Sequence, residues 1–262
     1  MVLRSGRHLP DLAPMSLVRV DKADGVGTIT LNDPDRRNAV NLDMCAELDE
    51  AITSLEADTA ISALVITGAG RAFCAGLDLV DATQGTGIGS QPNNVSVNLD
   101  LRNTPPTVLF AMDKPTICAL NGSAAGYGMD TALGCDIRLM APGAKMAAAF
   151  TKRGIVPESG GTWFLPRLVG WSKAAELIFT GRTLTADECV AMGLASAVVP
   201  EAELAAAARA MAVEIASNAP LAVQASKKLM RMGLNETFND HVHHVFLQLL
   251  PLVRTQDAAE GM

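Results

Sequence analysis

Two glycine-bearing stretches of this chain have the residue types to hold a developing negative charge. The longer begins at Asn121-Gly122, passes through Gly126-Tyr127-Gly128 and ends at Cys135-Asp136. It follows Lys114-Pro115-Thr116-Ile117-Cys118, an apolar run that reads as a buried strand, and leads into the helix-like Met129-Asp130-Thr131-Ala132-Leu133. Glycine lets the backbone turn tightly and approach a ligand, and a helix start presents unpaired N–H groups with partial positive charge. Such a turn suits a phosphate, a carboxylate or a transient oxyanion. The shorter stretch, Ala75-Gly76-Leu77-Asp78, has the same form: strand, glycine, helix opening. Two such turns at neighbouring sheet positions would aim two backbone N–H groups at one point, the arrangement of an oxyanion hole. Loss of one donor there costs roughly 3 kcal/mol of transition-state stabilisation. Taken singly, each stretch also fits a plain tight turn between packed elements.

Other chemistries find less support. His241, His243 and His244 are close in sequence, but no carboxylate or cysteine stands with them in a ligand pattern, so an exposed polar helix face is the better reading and no metal is assigned. Ser123 and Ser159 lie outside any G-x-S-x-G elbow. Gly126-Tyr127-Gly128 does not extend into the dinucleotide fingerprint G-x-G-x-x-G. The net charge of −7 argues against a nucleic-acid partner, though not against an anionic small ligand gripped by a few arginines. Five scattered cysteines, odd in number and without C-x-x-C spacing, read as reduced thiols of a cytoplasmic protein. No apolar run reaches the length of a membrane span. Residues 1–15 carry Arg4, Arg7, Pro10 and Pro14 but no apolar signal-peptide core; they read as a loose tail, with Met15 a second potential start.

With 262 residues, 49% of them hydrophobic, the chain can bury a large core, and its 4% aromatic content suits close helix–sheet packing. Residues 17–20 and 26–31 flank Asp24-Gly25, a strong hairpin signal. Asn41 or Asp43 caps a helix through about Leu55, and residues 61–67 form a buried strand. The polar, glycine-rich region 81–106, with Gly85, Gly87, Gly89 and Asn93-Asn94, reads as a mobile loop, followed by the tail of a helix over 106–112. A strand over 137–140, a glycine-rich turn over 154–161, helices over 171–180 and 185–192, and a short strand over 196–199 come next. From residue 201 onward the pattern is helical, over 201–216, 220–232 and 236–253, with Pro220 in a first turn.

Four motifs stand in order along the chain: Leu31-Asn32-Asp33-Pro34 with Asn38-Ala39-Val40, Phe73-Cys74-Ala75-Gly76-Leu77-Asp78, Asn121-Gly122 through Gly126-Tyr127-Gly128 to Cys135-Asp136, and Gly154-Ile155-Val156-Pro157-Glu158-Ser159-Gly160-Gly161-Thr162. In order and with compatible spacing they resemble those of the enoyl-CoA hydratase/isomerase (crotonase) superfamily. The resemblance implies an α/β fold. It would be a spiral of repeated β-β-α units over 16–200 and a C-terminal helical region over 201–262 that builds a homotrimer or a dimer of trimers. It implies an acyl-CoA thioester as substrate, with CoA part of that substrate and no separate cofactor. By position, Leu77 and Tyr127 would donate the N–H groups to the thioester oxygen. Arg36, Arg37 and Ala75 would cradle the CoA moiety, and Gly76, Asp78, Gly126 and Gly128 would shape the substrate site.

The acid/base group departs from the family's hydratase pattern of two glutamates. Asp130 occupies the first position, one methylene shorter, and Phe150 the second, where no proton can be exchanged. Pro157-Glu158 instead resembles the isomerase branch, in which an acidic residue after this proline moves a proton between carbons. Glu158 is therefore the expected base and Asp130 a second candidate that reads equally as a structural carboxylate or a catalyst; enclosure by Phe150, Trp163 and Phe164 should raise the Glu158 pKa. The expected activity is enoyl-CoA isomerisation. Hydration of a 2-enoyl-CoA and a non-catalytic acyl-CoA binder are the rival readings. Family members usually continue past residue 260 with a short helix that closes a neighbouring CoA site, so the expectation is either a truncated chain or CoA binding without that contribution.

Overall fold

The computed structural model of the chain describes residues 16–84 and 104–261. The expected loose tail over 1–15 and most of the glycine-rich loop, including Gly85, Gly87, Gly89 and Asn93-Asn94, lie outside the described residues. Strands β1 (Val18–Ala23) and β2 (Val26–Leu31) pair as an antiparallel hairpin. Asp24 and Gly25 turn it with φ of 51° and 74°, the double positive φ of a type I′ turn. Helix α1 (Leu42–Ala57) follows, its N-terminus capped by Asn41, whose side chain accepts from Met44 N–H. Met44, Leu48, Ile52 and Leu55 form its buried stripe.

The chain then alternates between two sheets. β3 (Ala63–Gly68) enters the larger sheet and β4 (Ala72–Cys74) the smaller; α2 (Leu79–Thr83) and α3 (Pro105–Ala111) follow. β5 (Thr116–Leu120) and β6 (Ser123–Ala125) repeat this division before α4 (Tyr127–Gly134), and β7 (Ile137–Met140) and β8 (Lys145–Ala147) repeat it again. Next come α5 (Gly161–Val169), α6 (Trp171–Thr180), β9 (Thr183–Thr185), α7 (Ala186–Ala191) and β10 (Ala197–Val198). The larger sheet has the order β1-β2-β3-β5-β7-β10 and the smaller β4-β6-β8-β9. Beyond the hairpin the larger sheet is parallel, and β5 is buried at every position, as covered parallel strands are.

Three features were not read from the sequence. The stretch after β5 is not one strand-to-helix turn: Gly122 bends the chain so that β6 joins the second sheet. A Cβ at Gly122 would stand 2.2 Å from the Arg71 carbonyl oxygen, so only glycine permits this bend. Helix α5 was hidden because glycines precede it and Pro166 lies inside it. A short helix, α11 (Gln256–Glu260), ends the described chain, capped by Thr255.

The last helices are α8 (Leu204–Ala216), α9 (Pro220–Gly233) and α10 (Phe238–Leu252). α8 covers one face of the larger sheet, burying Leu204, Ala208 and Ala212 at four-residue intervals; alanine lets it lie close. α9 is pinned by Lys227, which pairs with Asp136 at 2.7 Å and donates to the Lys114 carbonyl, and by Arg231, which pairs with Asp113 at 2.6 Å. α10 buries no residue, and Phe238, Phe246 and Leu249 are among its exposed apolar side chains.

Candidate active site

The loop after β2 organises the first half of the site. Asn38 is fully buried at φ 54°, a conformation asparagine tolerates better than most residues. Its amide donates to the carbonyls of Ala69, Ala72 and Phe73 at 3.0, 2.9 and 3.1 Å, and its oxygen accepts from Asp33 N–H at 2.9 Å. One side chain thus ties this loop to the turn before β4 and to the first two residues of β4. The same loop then holds the turn after β4: Ala75 N–H donates to the Arg37 carbonyl, Val40 N–H to Gly76, and Asp78 N–H to Val40. Val40 and Leu77 form a parallel bridge, a pattern that uses the groups on either side of Leu77 and turns its own N–H away from Val40.

The second half is the turn into α4. Gly126 has φ 53° and ψ −122°, outside the range of other residues, and its N–H is held by the Ala147 carbonyl at 2.9 Å. Gly128 lets α4 rest on β4, since a Cβ there would stand 2.3 Å from the Cys74 carbonyl oxygen. Tyr127 is the first residue of α4, so its N–H belongs to the unpaired start of a helix.

β4 and β6 are parallel neighbours, which sets the two turns side by side. Gly76, at φ 100°, lies so close to the second turn that a Cβ on it would be 2.7 Å from the Ala125 oxygen and 3.6 Å from Tyr127 N. Among the described residues neither Leu77 N–H nor Tyr127 N–H donates a hydrogen bond. Two free donors on adjacent turns suit an oxygen that gains negative charge during a reaction.

The turn before α5 brings in Glu158, next to Asp130 of α4. Glu158 is half-buried, and neither carboxylate oxygen has a hydrogen-bond partner among the described residues although both are shielded from solvent. Burial raises its pKa, opposed only by its own backbone N–H. Asp130, 1% exposed, accepts from Gly161 N–H at 3.2 Å through Oδ2. Burial lifts its pKa to about 8; the Gly161 and Ser159 N–H groups pull it down and the Glu158 charge pushes it up. Glu158 acts likewise on Tyr127, whose phenol is raised first by burial and whose hydroxyl lies 3.8 Å from the Cys45 thiol.

Phe150 is buried with its ring edge over Gly126, 3.9 Å from where a Cβ would be. Phe164 lies against Gly160. Trp163 and Phe164 also stack edge-on with Phe110, at 5.1 and 5.2 Å between centroids, and line a groove of about 810 Å³ between α5 and α9. Arg36 and Asp78 meet as an ion pair at 2.9 Å, with Asp78 buried and Arg36 partly exposed; Arg37 is exposed at φ 57°.

Residues 21–262 match the family model described as Enoyl-CoA hydratase/isomerase. The chain belongs to that family. It is 37% identical over 223 residues to a short-chain-enoyl-CoA hydratase of Clostridium acetobutylicum, covering 83% of this chain and 82% of the relative. It is 42% identical over 196 residues to a 1,2-epoxyphenylacetyl-CoA isomerase of Escherichia coli, covering 74% and 73%. The crystal structure of an enoyl-CoA hydratase from Bacillus anthracis superposes with a TM-score of 0.85 at 32% identity, covering 94% of each chain. The chain is thus an enzyme of the crotonase superfamily with the mixed α/β fold of its members, and use of an acyl-CoA substrate follows from the family.

For an enoyl-CoA hydratase/isomerase chain, the part least legible in sequence is the support. Asn38 and Asn121 were read as motif letters, yet both are clamps, Asn38 fully buried and Asn121 half-buried. Asn121 accepts from Gly68 N–H at 3.1 Å and donates to the Gly70 carbonyl at 2.9 Å. A polar residue between a strand and a glycine turn was the available signal. The histidine reading needs correction, because a carboxylate does stand with them: Glu236 lies 2.9 Å from His244 Nδ1 and 3.5 Å from His241 Nδ1. Among the described residues no group of His, Cys, Asp and Glu side chains could hold a metal ion.

Proposed function

We propose that this enzyme shifts the double bond of an enoyl-CoA. The carrying observation is the shielded Glu158 carboxylate, without a partner among the described residues, beside the Tyr127 turn, with Phe150 where a second glutamate would serve hydration. In this reading Leu77 and Tyr127 N–H hold the thioester oxygen. Glu158 takes a proton from C2 of a 3-enoyl thioester, and the electron pair left behind spreads over that oxygen and the adjoining double bond. The acid so formed returns the proton to C4, giving the 2-enoyl thioester. One carboxylate suffices, because the proton taken is the proton returned.

Arg36 and Arg37 flank the CoA side of the site in this reading, with Ala75 the exposed backbone between them and the turn. Gly76, Gly126 and Gly128 shape the turns, and Asp78 steadies Arg36. CoA arrives as part of the substrate, and the reaction calls for no further cofactor. The exposed apolar side chains of α10 support assembly with further copies of the chain, as a trimer or a dimer of trimers. Five free thiols support a reducing, cytoplasmic setting, and among the described residues no helix is long and apolar enough to cross a membrane.

The test is turnover of 3-enoyl- and 2-enoyl-CoA by the wild type and by Glu158→Gln. The expected result is migration of the bond from C3 to C2, reduced roughly 1,000-fold in the variant. Full activity of Glu158→Gln overturns the role of Glu158. Fast water addition without migration makes the enzyme a hydratase, and CoA binding without turnover on any thioester makes it a binder.

A further inference from the structure

We propose that Asp130 is a positioning residue: its side chain ties the turn that carries Glu158 to helix α4, and it does not itself exchange a proton with the substrate. This rests on the reading of Glu158 as the base. Asp130 lies three residues beyond Tyr127, nearly one helical turn, so the two share a side of α4. Its carboxyl group accepts from Gly161 N–H and is drawn toward the Ser159 N–H. These two residues bracket the turn immediately after Glu158. Gly161 is shaped for the contact, because a Cβ there would stand 2.4 Å from Asp130 Oδ1. The other end of the tie is equally firm: Gly126 N–H is held by Ala147, and α4 packs on β4 through Gly128. The oxyanion turn and the base turn therefore meet through one buried side chain that is 1% exposed.

The charges around Asp130 are few. Helix α3 and strand β6 bring no ionisable side chain, β4 brings the buried Cys74 thiol, and α5 brings Arg167 in its last turn. Glu158 is the ionisable side chain whose charge acts on Asp130. With its own pKa raised to about 8, Asp130 stays protonated at neutral pH, which spares Glu158 a second negative charge in the same enclosure.

The test compares Asp130→Asn with Asp130→Ala in the full chain. Asparagine keeps an acceptor for Gly161 N–H, so kcat should stay within about threefold of wild type, with the acidic limb of kcat/KM unchanged; alanine frees the turn and should lower kcat by roughly 100-fold at nearly constant KM, the usual effect of a small misplacement. Amide hydrogen exchange gives a readout separate from activity: Gly161 N–H should exchange faster in the alanine variant and as in wild type in the asparagine variant. An Asp130→Asn variant as inactive as Glu158→Gln, or an Asp130→Ala variant with wild-type kcat and wild-type exchange, would overturn the proposal. If alanine prevents folding, the asparagine variant alone decides between positioning and proton transfer. Full activity of Glu158→Gln would instead sink the base reading while leaving the exchange result to judge the tie.

Discussion

The two halves of the site are built by opposite means. The oxyanion side consists of backbone, and its turns are stitched by Asn38, Asn121, Val40 and Ala147 until two N–H groups remain without a partner among the described residues. The base side is one carboxylate on a glycine-rich turn, shielded from water and without a hydrogen bond among the described residues. Backbone donors cannot titrate and cost no reorganisation during reaction, so rigidity serves them. A base must be reactive, and a carboxylate satisfied by several donors would be too weak to take a proton from carbon. The difference teaches where each half is vulnerable: the first to loss of its supports, the second to changes in protonation and placement.

The largest effect that would break the comparison on the oxyanion side is expected from Gly128→Val. The added carbon meets the Cys74 carbonyl, which cannot rotate away, so a loss of about 3 kcal/mol or more is expected in denaturant unfolding, with turnover falling alongside. Unchanged stability would mean that α4 does not rest on β4 as described. A somewhat smaller loss, about 2 kcal/mol, is expected from Asn38→Ala, which strips partners from buried groups around β4. Its kcat should fall with little change in KM, because the Leu77 turn loses its frame.

On the base side the effect is one of pH. Burial raises the Glu158 pKa above the ordinary 4.5, and the base works only when ionised. The kcat/KM profile should therefore fall as pH drops through a midpoint above 4.5, and Glu158→Gln should lack that limb. A midpoint at or below 4.5 would mean that the carboxylate is solvated or paired in the free enzyme.

Much of the architecture was legible in the chain. Asp24-Gly25 announced its hairpin because a type I′ turn needs positive φ at two adjacent residues. Asn41 or Asp43 announced a helix because a short polar side chain satisfies a free N–H there, and Asn41 is the one that does so. The second sheet was not legible: β4, β6 and β8 are three residues each, too short for any periodicity to show. Helix α5 was masked by the glycines and the proline around it.

By itself the sequence determined what is local: the glycines at 76, 126 and 128, the caps, the apolar strands, and the order of motifs that marks the family. Their physical basis lies within a few residues, in allowed φ and in the unpaired groups of helix ends. Only the tertiary structure decided that Gly76 lies against Tyr127, that Asn38 reaches carbonyls more than thirty residues away, and that Asp130 meets Gly161 rather than solvent. Those meetings depend on which short strands pair and how closely a helix rests on them. That outcome belongs to packing of the whole core and leaves no mark in local spacing.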